Sequence, residues 1–387
     1  MFYLLTLVLK HRNEIIHNHV GDNLKDMKYI FISTSYQPES AVYQYFKALG
    51  DEFVTHDYSV VYIFDQLLEV LPDNSKNKSF FSWPSKRPTK LKDFIFLGNL
   101  IKKYKPQYCI AVFGSVNTMM LASYFYNVNR RIAWIRTTQT QILKDSNNPI
   151  KSKLLAFRKS FIYSLATQII TNSEGTKKDS ILNFGINPEK ITVLSNLKQK
   201  TLIKNKPRVG REFSLIVVGR LEESKGHRIL FKQFKTVVNK HPNLKLKVLG
   251  TGILLNQLKE DVDNLQLKDN IIFLGKVERH LIGQFFSECL IGISSSFSEA
   301  FGWVNIESLN EGTPIISTET EGGKDILVSG LNGEFFYHNQ ENSLLNAIDL
   351  ILNNWNKYSL GAVDTFDNNF NIQNQIKKHS IKILRHK

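Results

Sequence analysis

The sequence predicts an α/β protein built as two doubly wound domains that face each other across a cleft. Three observations predict it. Short runs of β-branched and aromatic residues alternate with longer amphipathic stretches. The alternation occurs in two series, and a polar, basic segment carrying Pro and Gly separates them.

The first series opens on YIFISTS at Tyr29, runs through SVVYIFD, YCIAVFG, RIAWIRT and QIITNS, and closes on ITVLSN. These runs are apolar at successive positions, the pattern of parallel strands covered on both faces. Leu197–Glu212 (LKQKTLIKNKPRVGRE) reads as a linker. The second series is FSLIVVGR, LKLKVLG, NIIFLG, IGISSS and PIISTE, with HRILFKQFKTVVNKH and ILLNQLKEDVDNL as amphipathic helices between strands. From about Asp364 the chain reads as a basic helix. The expected division is 1–26 as an N-terminal extension, 27–200 as the first domain, 201–362 as the second, and 363–387 as a helix packing back toward the first. Residues 1–26 read equally as an extension outside the fold or as a short surface helix. Their apolar run MFYLLTLVL is far short of the roughly 20 residues that span a bilayer.

The chain has 387 residues, 42% hydrophobic, enough for two ordinary cores. Its formal net charge of +15 points to an anionic partner: nucleic acid, an acidic membrane surface or a phosphorylated substrate. No helix-turn-helix, zinc or RNA-binding signature accompanies that charge, so no nucleic acid is expected. Cys109 and Cys289 both lie in apolar runs and read as free buried thiols in a reducing cytoplasm.

Four motifs carry chemistry. In VVGRLEESKGH a strand ends at Val218, Gly219 turns the chain, and Arg220 and Lys225 precede a helix that Gly226 opens. Two cations beside a helix N-terminus suit a diphosphate, although a solvated surface turn has the same composition. VLGTG places Gly250 and Gly252 after another strand, where backbone can approach a ligand closely. NIIFLGKV places Lys276 and Val277 in the loop after a third. In SEAFGWVNIES, Glu299 sits in a loop at a strand's carboxyl end, Gly302 opens a helix, and Glu307 follows about two turns in. A carboxylate buried there without a partner costs several kcal/mol. A vicinal diol would satisfy it; so would a structural ion pair.

Taken in order, these motifs, with G-x-P, G-G and N-G after them, resemble the retaining glycosyltransferases of family 4. The resemblance is dense over Phe213–Phe336 and weaker over Met27–Asn196. It implies the GT-B fold, two facing Rossmann-like domains. It implies that Arg220 and Lys225 hold the donor diphosphate, that Glu299 meets the donor sugar hydroxyls, and that Glu307 meets the ribose. Ala300, Phe301, Gly302 and Trp303 would form the loop on sugar and phosphate. EGGKDILVSGLNG matches the family's next segment, with Asp325 where Glu is usual. The implied reaction moves a sugar from a nucleoside diphosphate, such as a UDP-sugar, with retention and without a metal or other cofactor.

The acceptor half departs from the family pattern. Ser40 and Ala41 stand where glycines are common, and Arg136-Thr137 where many members have a His. Arginine cannot act as a base, but it can hold a phosphate or sugar oxygen. Asn74–Lys92 mixes Lys and Arg with Phe80, Phe81 and Trp83 and reads as a loop that lies on an anionic membrane, or as a basic loop whose aromatics tuck inward. The expectation is a peripheral enzyme on the cytoplasmic face of a bacterial membrane, using a glycan or lipid-linked acceptor in lipopolysaccharide, capsule or glycolipid synthesis. Three other classes remain open: a non-catalytic subunit that binds a nucleotide sugar, an epimerase on the same donors, and a basic nucleic-acid-binding protein.

Overall fold

The computed structural model describes residues 27–65, 71–137, 149–201 and 206–386, and side chains throughout these ranges except at 149–154. Residues 1–26 lie outside it. The first domain is a seven-stranded parallel sheet in the order β3-β2-β1-β4-β5-β6-β7. Its strands are β1 (Lys28–Thr34), β2 (Tyr58–Phe64), β3 (Lys78–Ser82), β4 (Tyr108–Val112), β5 (Arg130–Ile135), β6 (Gln168–Thr171) and β7 (Ile191–Val193). The helices are α1 (Ala41–Thr55), α2 (Leu91–Tyr104), α3 (Val116–Phe125), α4 (Pro149–Ser164) and α5 (Glu174–Phe184). Alternation along β1 explains why both faces need cover. Tyr29 and Phe31 enter the core under α2 and α3, while Ile30 and Ile32 enter the core under α1.

The second domain is a six-stranded parallel sheet in the order β10-β9-β8-β11-β12-β13. Its strands are β8 (Glu212–Val218), β9 (Lys245–Leu249), β10 (Ile271–Gly275), β11 (Cys289–Ser294), β12 (Ile315–Thr318) and β13 (Gly333–Phe336). The helices are α6 (His227–Lys240), α7 (Leu255–Asn264), α8 (Ile282–Glu288), α9 (Trp303–Asn310), α10 (Glu321–Lys324), α11 (Ser343–Asn353) and α12 (Trp355–Asn369). The strand order reverses between β8 and β11, the place where doubly wound sheets open a crevice at their carboxyl ends.

The last helix, α13 (Ile372–Leu384), packs on α1 of the first domain. Tyr45 Oη and His379 Nδ1 are 2.9 Å apart in that contact, and Tyr108 Oη donates to the Leu384 carbonyl at 3.3 Å. Burial and the neighbouring Lys382 and Lys378 push His379 down to about 3, so its imidazole is neutral near pH 7. The outgoing and returning chains touch where they pass between domains. Lys198 donates its backbone N–H to Phe370 and accepts from Ile372.

Leu197–Glu212 runs between the two sheets, and within it Arg211 is buried: its guanidinium donates to the carbonyls of Phe286, Cys289 and Glu311 and to Thr313 Oγ1. One expectation needs correction: Asn74–Lys92 is not a loop that offers aromatics to a membrane. Its centre is β3, paired in parallel with β2. Phe80 stacks on Tyr62 with centroids 5.3 Å apart, and Phe81 meets Tyr104 edge-on at 6.2 Å. Trp83 is 0% exposed, and its indole N–H donates to Ser33 Oγ at 2.9 Å. Adding a strand to the sheet edge satisfies that backbone and draws the rings inward. No helix among the described residues is long and apolar enough to cross a membrane. β13 also lies outside the expected strand runs; its sequence GEFF is too short to show a period.

Candidate active site

The loops after β8 and β11 meet where the strand order reverses. Lys225 Nζ lies 2.7 Å from Glu299 Oε2, and each side chain is about three-quarters buried. Local structure sets both. Lys225 ends a turn of 3-10 helix, and its carbonyl accepts from Ser295 Oγ at 2.7 Å, which ties the β8 loop to the end of β11. The Glu299 carbonyl accepts from Gly322 N at 2.9 Å, which ties the β11 loop to α10. Lys225, His227, Glu299 and Gly302 line one pocket with Ser294–Ser296. Gly302 has φ +93° and opens α9, so the free N–H groups of that helix border the pocket.

His227 begins α6 and was not singled out by sequence reasoning. It is buried, and neither ring nitrogen has a protein hydrogen bond among the described residues. Burial and Lys225 push it down to about 4, so a neutral imidazole borders the pocket with a donor and an acceptor unused.

Glu307 lies four residues into α9, one turn rather than two. It is half-buried, and burial raises its carboxyl, opposed by Lys198 and Arg279. Among the described residues no protein hydrogen bond reaches its carboxylate. Glu311, one further turn along, also escaped sequence reasoning. Its side chain is buried and accepts from Thr201 Oγ1 at 2.8 Å. Burial pushes its carboxyl up to about 7, opposed by the Thr201 hydrogen bond and by Lys198 and Arg211, with Glu307 adding a further rise. Glu311 caps the carboxyl end of α9, and a charged residue just before Gly312 looks like a solvated helix end in sequence, which is why the second glutamate was missed.

The sign of the Glu311 effect is fixed by that rise. The folded chain keeps a proton that the unfolded chain loses above about pH 4.5, so this stabilisation is full below that pH and is lost as pH rises through about 7. Glu311→Gln keeps the acceptor for Thr201 and removes the titration. Its thermal midpoint should match the parent near pH 4.5 and exceed it at pH 8, the gap corresponding to an unfolding free energy on the order of 2–3 kcal/mol. Equal midpoints at pH 8 would refute the assignment.

Several expected site residues stand apart from the pair. Arg220 is exposed and pairs with Glu222 at 2.9 Å on the rim. Gly250 and Gly252 admit a neighbouring loop: a Cβ on either would meet the Gly219 or Leu221 carbonyl at 1.8 and 2.3 Å. Their smallness therefore seats the β8 loop. Lys276 is exposed, Val277 packs on a small core beside Val304, and Arg279 in the same loop acts on Glu307. The Phe301 ring is buried against Trp303 and Phe370, leaving its backbone to the loop. Ser40 caps α1, accepting from Tyr43 N at 3.1 Å, so its hydroxyl is committed to the fold; Ala41 is the buried first residue of that helix. Thr137 is exposed.

Arg136 crosses the cleft. Its guanidinium lies over the Phe113 ring at 5.7 Å and the Trp303 ring at 6.0 Å, in the first and second domains. Burial lowers it to about 10, with Tyr45 opposing, so it stays charged. The domains also meet at α5. Ser173 Oγ donates to the Ala300 carbonyl at 2.6 Å, and Glu174 N donates to Asp325 Oδ2 at 2.7 Å. Asp325, the departure from Glu, thus holds a helix N-terminus. Among the described residues no group of three or more His, Cys, Asp or Glu side chains could hold a metal ion.

Residues 198–360 match the family model described as glycosyl transferases group 1. An uncharacterized glycosyltransferase of Methanocaldococcus jannaschii is 30% identical over 277 residues, 67% of this chain and 66% of its own length. The chain belongs to the group 1 glycosyl transferases. A Campylobacter jejuni relative, N-acetylgalactosamine-N,N'-diacetylbacillosaminyl-diphospho-undecaprenol 4-alpha-N-acetylgalactosaminyltransferase, is 26% identical over 60% of this chain and 63% of its own length. This group 1 chain therefore spans about two thirds or less of the curated relatives it matches.

Solved structures give the fold of this group 1 chain. The apo lipopolysaccharide outer core galactosyltransferase WaaB superposes with a TM-score of 0.70 at 16% identity, covering 92% of this chain and 99% of its own. Anabaena Alr3699/HepE in complex with UDP and glucose superposes with a TM-score of 0.68 at 16% identity over the same shares. The fold is GT-B, and the Lys225–Glu299 pair occupies the switch point of its second domain.

Proposed function

We propose that this protein is a metal-independent, retaining glycosyltransferase of the family 4 type, moving a sugar from a UDP-sugar to a glycan or lipid-linked acceptor in surface polysaccharide or glycolipid synthesis. The observation that carries the reading is the Lys225–Glu299 pair, 2.7 Å apart at the β8–β11 crevice and bordered by the start of α9. Lys225 and the α9 N–H groups suit the diphosphate, and His227 can donate to it. Glu299 suits the sugar hydroxyls, and Glu307, with no protein hydrogen bond among the described residues, suits the ribose diol. Neighbours of the same fold hold UDP, and a UDP-glucose complex exists among them, which favours uridine as the base.

In the proposed step the bond from the anomeric carbon to the β-phosphate oxygen breaks. A bond from that carbon to the acceptor oxygen forms on the same face, and the acceptor proton passes to the departing phosphate. The protein's part is to stabilise charge on the leaving group from fixed donors. Arg136, charged and facing across the cleft, suits an anionic group on the acceptor side.

A thermal-shift screen with UDP, GDP, ADP and their sugar conjugates tests the donor site, with pyrophosphate as the control for plain anion binding. One nucleoside diphosphate should raise the midpoint selectively, and Glu307→Ala should abolish the selectivity. Equal shifts with every anion, unchanged in the variant, would overturn the reading in favour of nonspecific attraction to a basic chain.

A further inference from the structure

We propose that the outer face of α2, α3 and α4 is a docking surface for an anionic lipid bilayer. This goes beyond the donor chemistry and is read without any transfer activity.

The face follows from helix periodicity. Leu91 and Ile95 on α2 are one turn apart and both exposed, Leu91 at 75%. On α3, Leu121, Tyr124 and Phe125 share one side, with Phe125 68% exposed. On α4, Phe157 and Phe161 are again one turn apart, with Phe157 75% exposed. The opposite sides of α2 and α3 already supply the domain core through Leu97, Leu100, Met119 and Met120. These two helices are therefore apolar on two sides, where a surface helix needs only one. The three helices form one layer, α2 packed on α3 and α3 on α4. The Phe94 and Phe125 rings, 5.9 Å apart, join the first two. The exposed side chains thus make one stripe, not scattered single residues.

Charge selects the occupant. Lys102 lies 5.4 Å from the Tyr126 ring centroid, and Arg131 lies 5.4 Å from that of Tyr124, so cations flank the aromatic centre. Arg158, exposed, adjoins Phe157 in sequence. α3 and α4 contain no acidic residue, and the acid of α2, Asp93, is buried and accepts from Lys90 N. Aromatic and aliphatic side chains surrounded by cations match the acyl boundary and the anionic headgroups of a membrane. A protein partner would need carboxylates of its own to meet these cations. α2 and α3 begin at the carboxyl ends of the strands, so the stripe reaches the rim of the cleft. A docked protein would present the cleft mouth to a lipid-linked molecule.

The test is flotation of the full chain with phosphatidylcholine vesicles and with vesicles containing phosphatidylglycerol, at low and high salt. The parent should float with the anionic vesicles only, and less at high salt. A Phe125→Ser, Phe157→Ser, Phe161→Ser variant should lower the bound fraction about tenfold. Its thermal midpoint and its response to UDP should not change, which reads the donor site separately. Arg158→Glu with Lys102→Glu should also abolish binding, and this variant decides the matter should the serine variant unfold. A parent that stays at the bottom of the gradient overturns the proposal, as do variants that float like the parent. A parent dimer that the serine variant dissociates, with no flotation, assigns the face to a second copy and equally overturns it.

Discussion

Replacing Lys225 with alanine should lower kcat/KM for sugar transfer by a factor on the order of a thousand, read as nucleoside diphosphate release from the donor that the thermal screen selects. Removal of one preorganised donor to a developing oxyanion typically costs about 10²–10³ in rate. The turn preceding α6 and the contact with Glu299 fix the position of Lys225. Glu299→Gln should lose a comparable amount, because the sugar loses an acceptor and Lys225 loses the carboxylate that aims it. The two effects should not add. With Lys225 gone, part of the work of Glu299 is already lost, so the double variant should fall short of the product of the singles. Stability gives the contrast. A pair that keeps contact with water contributes roughly 0–1 kcal/mol, so all three variants should unfold near the parent temperature. A variant that loses activity only in step with its midpoint would make the pair structural, and strictly multiplicative losses would make its members independent.

Arg211→Met should be the most damaging single change to stability outside the site. The side chain is buried, and it donates to three backbone carbonyls from separate elements, to Thr313 Oγ1 and to the Lys206 carbonyl. Its guanidinium also lies 5.0 Å from the Trp355 ring centroid. Burial lowers it to about 10, with Cys289 and Glu311 opposing, so it remains charged at neutral pH. Methionine matches much of the stem and none of the donors. Breaking such a network leaves buried acceptors unsatisfied, at a cost of about 3–5 kcal/mol. For a domain of this size the melting temperature should fall by roughly 10 °C. A fall of only a degree or two in a calorimetric scan would mean that water replaces the guanidinium, and that the residue is dispensable to the packing of β8, α8 and α9.

The two kinds of residue also differ in how far the sequence revealed them. Lys225, Glu299 and Glu307 stand at strand ends and helix starts that composition marks, and the structure brings the first two into contact. Arg211 looked like linker because its neighbours Lys204, Lys206 and Arg208 are basic. Nothing local distinguishes an arginine in solvent from one that five acceptors have drawn inward. Phe80, Phe81 and Trp83 misled in the opposite direction. Three aromatics among lysines look amphipathic, yet they face a sheet whose edge only folding creates. The stripe on α2, α3 and α4 was equally invisible, since Phe125 and Phe157 look like core residues until the helices are placed and their other sides fill it.

By itself the sequence determined the two parallel-sheet domains and the positions of their strand-end loops. Those depend on short-range periodicity and on turn residues, which are local in the chain. The tertiary structure alone decided which loops meet. It set Arg220 on the rim and Lys225 against Glu299. It brought Arg136 of one domain over Trp303 of the other, and it turned His227 and Glu311 inward. The contacts of Lys225 with Glu299, of Arg136 with Trp303 and of Glu311 with Thr201 join residues tens to hundreds of positions apart. Burial and the sum of neighbouring charges fix them, and neither quantity exists until both sheets have formed.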